Sequence, residues 1–333
     1  MQRALVTGGT GFVGSNLVAE LRARGWSVRC LVRDPARASE LTTLGAELCV
    51  GSLQDPQSLA HAVTDVDVVY HVAGRVAALK RAEFFVDNVA GTRTVMQACS
   101  ECDQPPTVVM VSSLAAGGPT VPGKPRRETD ANTPVSAYGM SKLDAEQAAT
   151  EFADRVRLSI IRPPVVFGPA DRNSLQLFKS VLVTHLHLVP GLRRMPMSLV
   201  HVSDLCTGMI ELAVRGSRVT PHDPSAGIYY ITSGPTSTYS DMGRLAATSL
   251  GRRVLVVPTP KIIFWFTGGL GEIVGRLRKR PVLLNWDKMR EAVASGWECS
   301  DEKLRREVGY EPPLSLERRF ADTANWYREH GWL

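Results

Sequence analysis

The stretch "ALVTGGTGFVGSNLVAEL" near the start of the chain limits the fold more than any other. A short β-branched run ends at Thr7, three glycines follow at Gly8, Gly11 and Gly14, and an amphipathic stretch opens at once. In a strand, tight turn and helix arranged this way, the first glycine takes a turn closed to side chains. The second lets backbone N–H groups approach a pyrophosphate, and the third lets helix and strand pack closely. A purely structural glycine turn is the plainer reading. The position, straight after the first strand and opening a helix, favours a dinucleotide site.

The rest of the first half supports a fold around that turn. The runs "SVRCLVR", "AELCVG", "VDVVYHVAG", "TVVMVSS" and "RLSIIRPPVVFG" alternate with helical patterns such as "SNLVAELRARG" and "NVAGTRTVMQACSE". This alternation predicts βαβ units, and so an α/β chain with a Rossmann doubly wound parallel sheet. After Gly168 the pattern loosens into Pro/Gly-rich stretches. We therefore expect an NAD(P)-binding Rossmann domain over 1–168 and a smaller, mainly substrate-binding lobe over 169–333, with segment 199–234 returning to the sheet.

At 333 residues, 44% apolar and 22% charged, the chain can bury a full core, and its composition gives no support to disorder or repeats. The formal charge of +6 is too mild to suggest nucleic acid, though it suits anionic ligands. The first strand-like run starts at Arg3, which leaves no room for a secretory leader, so a cytoplasmic protein is expected. Of the six cysteines only Cys99 and Cys102 form a CxxC; without a second pair, reduced thiols are expected and no metal site.

Cofactor choice turns on "LVRDP", at the end of the second strand. An arginine there can pair with a 2′-phosphate, whereas an acid would hold the ribose hydroxyls and repel phosphate. Arg33 favours NADP(H). In the other arrangement Arg33 is solvated and Asp34 reads the ribose of NAD, although Asp34 also fits as the cap of "PARASEL".

The glycine spacing TGxxGxxG, "GSLQDPQSL", "VVYHVAG", "DNVAGTRTV", "VMVSS", "YGMSK", "RPPVVFGP" and "LVHVSDL" together resemble an extended short-chain dehydrogenase/reductase. That group holds the NAD-dependent epimerases/dehydratases, dihydroflavonol reductases and 3β-hydroxysteroid dehydrogenases. The resemblance implies cofactor contacts at Gly8, Thr10, Gly11, Phe12, Val13, Gly14, Leu53, Ala73, Tyr138, Lys142, Pro164 and Val165, beside Arg33. Ser52 stands where many relatives have Asp, which changes the adenine contact.

In "SAYGMSK" the four-residue spacing puts Tyr138 and Lys142 on one helix face. A free phenol titrates near about 10, so a tyrosine used as a base near neutrality needs a cation close by. The resemblance implies that Tyr138 exchanges a proton with the substrate oxygen, that Lys142 tunes it and holds the nicotinamide ribose, and that Ser113 orients the same oxygen. Ser113 is chosen over Ser112 by its position after the strand.

Three functions fit these residues: an oxidoreductase acting on a secondary alcohol or ketone, a nucleotide-sugar epimerase, and a binder without turnover. Leu114 and Ala115 stand where sugar dehydratases of the group carry an acid pair. Met197 and Ser198 replace an Arg-Asp pair common in sugar-nucleotide enzymes, though Arg193 and Arg194 lie near. For His201 and Asp204 a structural reading is available, with Ser203 or Asp204 capping the next helix. Trp286 and Trp297 are expected to pack.

"IIFWFTGGLGEIVGRL", residues 262–277, is flanked by Lys261 and "RLRKRP". It is shorter than the roughly 20 residues a membrane span needs. It reads as a core helix of the second lobe, a lid, or a peripheral membrane contact. It resembles an apolar segment of 3β-hydroxysteroid dehydrogenase-like proteins, which implies an apolar small-molecule substrate. Relatives also imply a homodimer.

Overall fold

The computed structural model describes residues 2–191, 195–278 and 286–333. Seven strands form one sheet: β1 (Arg3–Thr7), β2 (Ser27–Val32), β3 (Glu47–Val50), β4 (Val68–His71), β5 (Thr107–Val111), β6 (Leu158–Arg162) and β7 (Ile228–Tyr230). Their spatial order is β7-β6-β5-β4-β1-β2-β3, and every pairing is parallel.

Parallel strands need crossovers, and crossover helices cover both faces of the sheet. Side-chain alternation meets that demand. Ala4 and Val6 of β1, Val68 and Tyr70 of β4, and Val109 and Val111 of β5 enter one core with Leu17, Leu21, Leu205 and Met209. Their neighbours Leu5, Val69, Val108 and Met110 enter the other, with Leu59, Val95, Ala145 and Ala149. The first face is covered by helices Phe12–Ala23 and Val202–Arg215, the second by Pro56–Ala62, Gly91–Ser100 and Ala137–Thr150. Strand order reverses between β1 and β4, so a crevice opens at their carboxyl ends, where Gly8 and Ala73 lie.

The run "RLSIIRPPVVFG" divides at Pro163 and Pro164, which have no N–H to give a ladder. Only β6 stays in the sheet. Val165–Phe167 instead pairs with Leu199–His201 in a separate two-stranded ladder. Segment 199–234 therefore contributes a covering helix and the edge strand β7, while its first strand lies outside the main sheet.

A third core, with Phe167, Phe178, Met242, Ala246, Phe320 and Tyr327, organises the second lobe around helices Arg172–Thr184, Tyr239–Ser249 and Leu316–Glu329. Helix Lys261–Leu277 is not part of it. The core-helix reading fails there, because only Gly268 and Gly275 of that helix are buried. The helix rests on a shorter one, Trp286–Ala292, through the rings of Trp265 and Trp286 at 5.3 Å.

Candidate active site

The glycine turn has no room for side chains. Gly8 has φ +75°, and a Cβ there would stand 2.7 Å from the Ala73 nitrogen; one on Gly14 would stand 2.1 Å from the Gly8 oxygen. Helix Phe12–Ala23 starts from Gly11, which offers no side-chain cap. The N–H groups of Phe12 and Val13 therefore have no acceptor within the helix. With Thr10 and Gly11 exposed beside them, the turn is shaped and polarised for an anion.

At the end of β2, Asp34 accepts the Ala36 N–H at 3.0 Å and caps the turn Pro35–Arg37. Arg33 is exposed next to it. Leu53 packs on Gly91, where a Cβ would lie 3.0 Å from the Leu53 Cδ1. Beyond β6, Pro164 is half-buried and Val165 exposed.

Ser113, Tyr138 and Lys142 converge at the carboxyl end of β5. Ser136 caps the tyrosine helix, accepting the Gly139 N–H at 2.9 Å, which places Tyr138 in the first turn. The Ser113 hydroxyl lies near enough to the Tyr138 phenol to act on it, and accepts the Ala115 N–H at 3.1 Å. Burial pushes the Tyr138 phenol up; the Lys288 cation and the nearby Ser113 hydroxyl oppose that. Lys142 turns elsewhere. Its ammonium donates to the Val111 carbonyl at 2.6 Å, and burial pulls it down to about 8 against the pull of Glu146. The cation acting on the phenol is thus Lys288, whose Nζ lies 5.3 Å from the ring centroid, rather than the Lys142 expected from the helix spacing.

Ser112 and Ser113 are adjacent but differently engaged. The Ser112 hydroxyl donates to buried Glu146, which also pairs with Arg162 at 2.8 and 2.5 Å. Arg162 in turn donates to the Tyr230 hydroxyl at 3.0 Å, tying β6, β7 and the tyrosine helix together. A buried pair of this kind keeps its place only while every partner stays. Ser112 is structural, and Ser113 is the hydroxyl next to the phenol.

Under the crevice runs a one-way chain of hydrogen bonds. Thr92 donates to the Asn88 carbonyl at 2.6 Å, so it must accept from His71 Nε2, 2.9 Å away. His71 Nδ1 is then an acceptor for the Thr7 hydroxyl at 2.8 Å, and Thr7 accepts the Ala73 N–H at 3.3 Å. Burial and the Lys142 charge hold His71 down to about 3, so the ring is neutral. Asn88 lies in a single π-helical turn, Phe85–Ala90, a feature frequent at functional sites. Its amide grips both backbone groups of Arg75, at 2.7 and 3.1 Å, and donates to Ser141 at 2.9 Å. Gly74 sits between Asn88 and Lys142; a Cβ there would lie 3.4 Å from one and 3.6 Å from the other.

The second lobe also reaches the site. Asp287 accepts the backbone N–H of Ala137 at 2.6 Å and of Tyr138 at 3.1 Å, and Glu291 accepts from Ser136 at 2.5 Å and from Lys288 at 2.7 Å. Trp286 packs on the apolar helix, and Trp297 donates to the Glu291 carbonyl at 2.9 Å.

His201 and Asp204 lie behind the site. His201, not Ser203 or Asp204, caps helix Val202–Arg215, its Nδ1 accepting the Ser203 N–H at 3.3 Å. An imidazole at the end of Leu199–His201 reaches the first turn before either later residue can. Asp204 is paired with Arg319 and accepts from Ser233 at 2.5 Å, which joins the helix to the C-terminal one. Arg193 and Arg194 lie outside the described residues.

The model of the NAD dependent epimerase/dehydratase family matches residues 4–226. The chain belongs to that family. A 4-hydroxy-2-methyl-3-oxo-4-farnesyl-3,4-dihydroquinoline-1-oxide ketoreductase of Stigmatella aurantiaca is 30% identical, over 92% of this chain and 91% of the relative. A ceramide reductase of Caulobacter vibrioides is 28% identical over 98% and 95%. UDP-glucose 4-epimerase of Thermotoga maritima superposes with TM-score 0.78 over 99% of both chains at 19% identity, a likeness of fold.

As a member of this family, of the extended short-chain type, the chain is an enzyme of the nicotinamide-dependent class that spans oxidoreductases, epimerases and dehydratases. The crevice fits such a cofactor. A turn closed to side chains by contacts of 2.1 and 2.7 Å accepts a pyrophosphate against bare N–H groups, and Lys142 with Asn88 bounds the far end. Sequence reasoning passed over Asn88, His71, Asp287, Lys288 and Glu291 as site residues. Asn88 was visible in "DNVAGTRTV" as part of the family pattern. The three C-lobe residues lie in "NWDKMREAVASGWECSDEKLRREVGYEP", which resembles the end of 3β-hydroxysteroid dehydrogenase-like proteins closing over the cofactor domain; which of its side chains reach the site is set by tertiary packing.

Proposed function

We propose that this enzyme is an NADP(H)-dependent oxidoreductase acting on a secondary alcohol or ketone of an apolar molecule. The observation that carries the reading is the half-buried Tyr138 phenol, with the Ser113 hydroxyl beside it and the Lys288 ammonium 5.3 Å from its ring centroid. Burial keeps the phenol protonated at neutral pH, which suits it to give a proton to a carbonyl oxygen. When bound, the reduced nicotinamide supplies the hydride for the carbonyl carbon. Tyr138 gives its proton to the oxygen, Ser113 orients that oxygen, and Lys288 with Ser113 steadies the phenolate left behind. Lys142, whose ammonium lies near Gly74, would hold the ribose hydroxyls in this reading. Exposed Arg33 supports the 2′-phosphate, with Asp34 occupied as a cap.

Two relatives support an apolar ketone: one name carries a farnesyl chain and a ketoreductase activity, the other a ceramide. A sugar-nucleotide epimerase has less support. Met197 and Ser198 are buried, and the Ser198 hydroxyl is taken up by Cys299, donating to its carbonyl at 3.3 Å, so neither residue replaces the pair's arginine.

The test is NADPH consumption against ketones graded in size and polarity, alongside UDP- and dTDP-sugars. Stoichiometric oxidation with an apolar ketone supports the reading; sugar interconversion without net absorbance change defeats it. Arg33→Asp should shift preference toward NADH, and an unchanged preference removes the 2′-phosphate assignment.

A further inference from the structure

Helix Lys261–Leu277 leaves a continuous apolar stripe in the open. Ile262, Phe266, Leu270, Ile273 and Leu277 are 59, 73, 68, 58 and 79% exposed, and their spacing of three and four residues puts them on one side of the helix. Large apolar side chains exposed in so regular a row mark a contact surface. Its ends are basic: Lys261 is exposed at one, Arg276 and Arg278 at the other. The one acid, Glu272, is met within the helix by Arg276 at 3.1 Å.

We propose that this stripe docks on an anionic lipid surface, where the enzyme collects its substrate. The helix has 17 residues, about 25 Å at the α-helical rise, and among the described residues no helix is long and apolar enough to cross a membrane. It therefore lies along the surface, apolar side in the acyl boundary and cations at the headgroups. Charge selects this occupant over a second copy. Two copies packed stripe to stripe would bring Lys261, Arg276 and Arg278 of each together, whereas anionic headgroups neutralise them. The surface is also next to the chemistry. Trp286, its ring tilted against Trp265 of this helix, directly precedes Asp287, which holds the Tyr138 N–H. The proposal rests on the reading that the substrate is apolar, and gives that substrate a route from the bilayer.

The experiment is co-sedimentation of the whole chain with vesicles of equal parts phosphatidylcholine and phosphatidylglycerol. The wild type is expected to sediment with them, and less well with phosphatidylcholine alone or in high salt. Phe266→Asp combined with Leu270→Asp should weaken partitioning at least about ten-fold. Arg276→Gln with Arg278→Gln, which spares the apolar side, should lose the preference for the anionic vesicles. Undiminished sedimentation of the first variant overturns the proposal, as does a dimer formed without vesicles that this variant abolishes. NADPH oxidation with a water-soluble ketone is read on the same samples and should be equal in wild type and variants. Its absence from all of them would sink the reductase reading while leaving the vesicle result to decide docking.

Discussion

Asp287 and Tyr138 are 149 residues apart in the chain, yet the Asp287 carboxylate accepts the Tyr138 backbone N–H at 3.1 Å. It takes the Ala137 N–H as well, at 2.6 Å, so the start of the tyrosine helix is capped from the second lobe in addition to its own Ser136. An N-terminal helix cap is worth about 1 kcal/mol. Asp287→Ala should cost about that much in urea unfolding and loosen the first turn. Turnover should fall several-fold while dinucleotide affinity, measured by fluorescence titration, stays near wild type.

Lys288 acts on the phenol by charge. Replacing it with Met removes the cation that opposes burial, so the Tyr138 pKa should rise further. In the alcohol-oxidising direction the rising limb of the pH–rate profile then moves to more alkaline pH, while ketone reduction near neutrality changes little. An unmoved profile would assign Lys288 to packing.

Tyr138→Phe keeps the ring against Phe84, 6.1 Å away, and deletes the proposed proton donor. Turnover should drop by about 10²–10⁴ with the melting temperature nearly unchanged. A variant retaining most of its activity would remove Tyr138 from the chemistry.

Gly14→Ala tests the cradle. The added methyl would meet the Gly8 oxygen at 2.1 Å, a contact that only backbone movement relieves. The expected cost is about 1–3 kcal/mol of stability, with dinucleotide binding lost in a calorimetric titration.

His71 is held to about 3 and His201 to about 4, each lowered mainly by burial from a usual 6.5. As pH falls from 6.5 the unfolded chain takes these protons first, so stability declines down to about those values. Each group contributes at most about 1.4 kcal/mol per pH unit. His71→Gln should flatten that acid slope in chemical unfolding; an identical slope would place the titration elsewhere.

The Rossmann sheet was legible because its causes are local. Period-two runs such as "ALVT" and glycines demanded by a turn act within a few residues. Two readings changed, one for a local reason and one for a distant one. Val165–Phe167 leaves the sheet because two prolines interrupt the ladder, and helix Lys261–Leu277 lies in the open although its apolar composition matches a core helix. Tyr138, Lys142 and Ser113 were found by spacing and family resemblance. The direction of the Lys142 ammonium, toward the Val111 carbonyl, depends on backbone that no spacing shows.

The clasp by Asp287 also has a bearing on biosynthesis. A ribosome that has completed the glycine cradle, Ser113 and Tyr138 must still translate as far as residue 287 before the helical turn bearing the phenol is pinned from outside. Until then that first turn is held by its own Ser136, and the second clasp is added only as the later lobe folds against it.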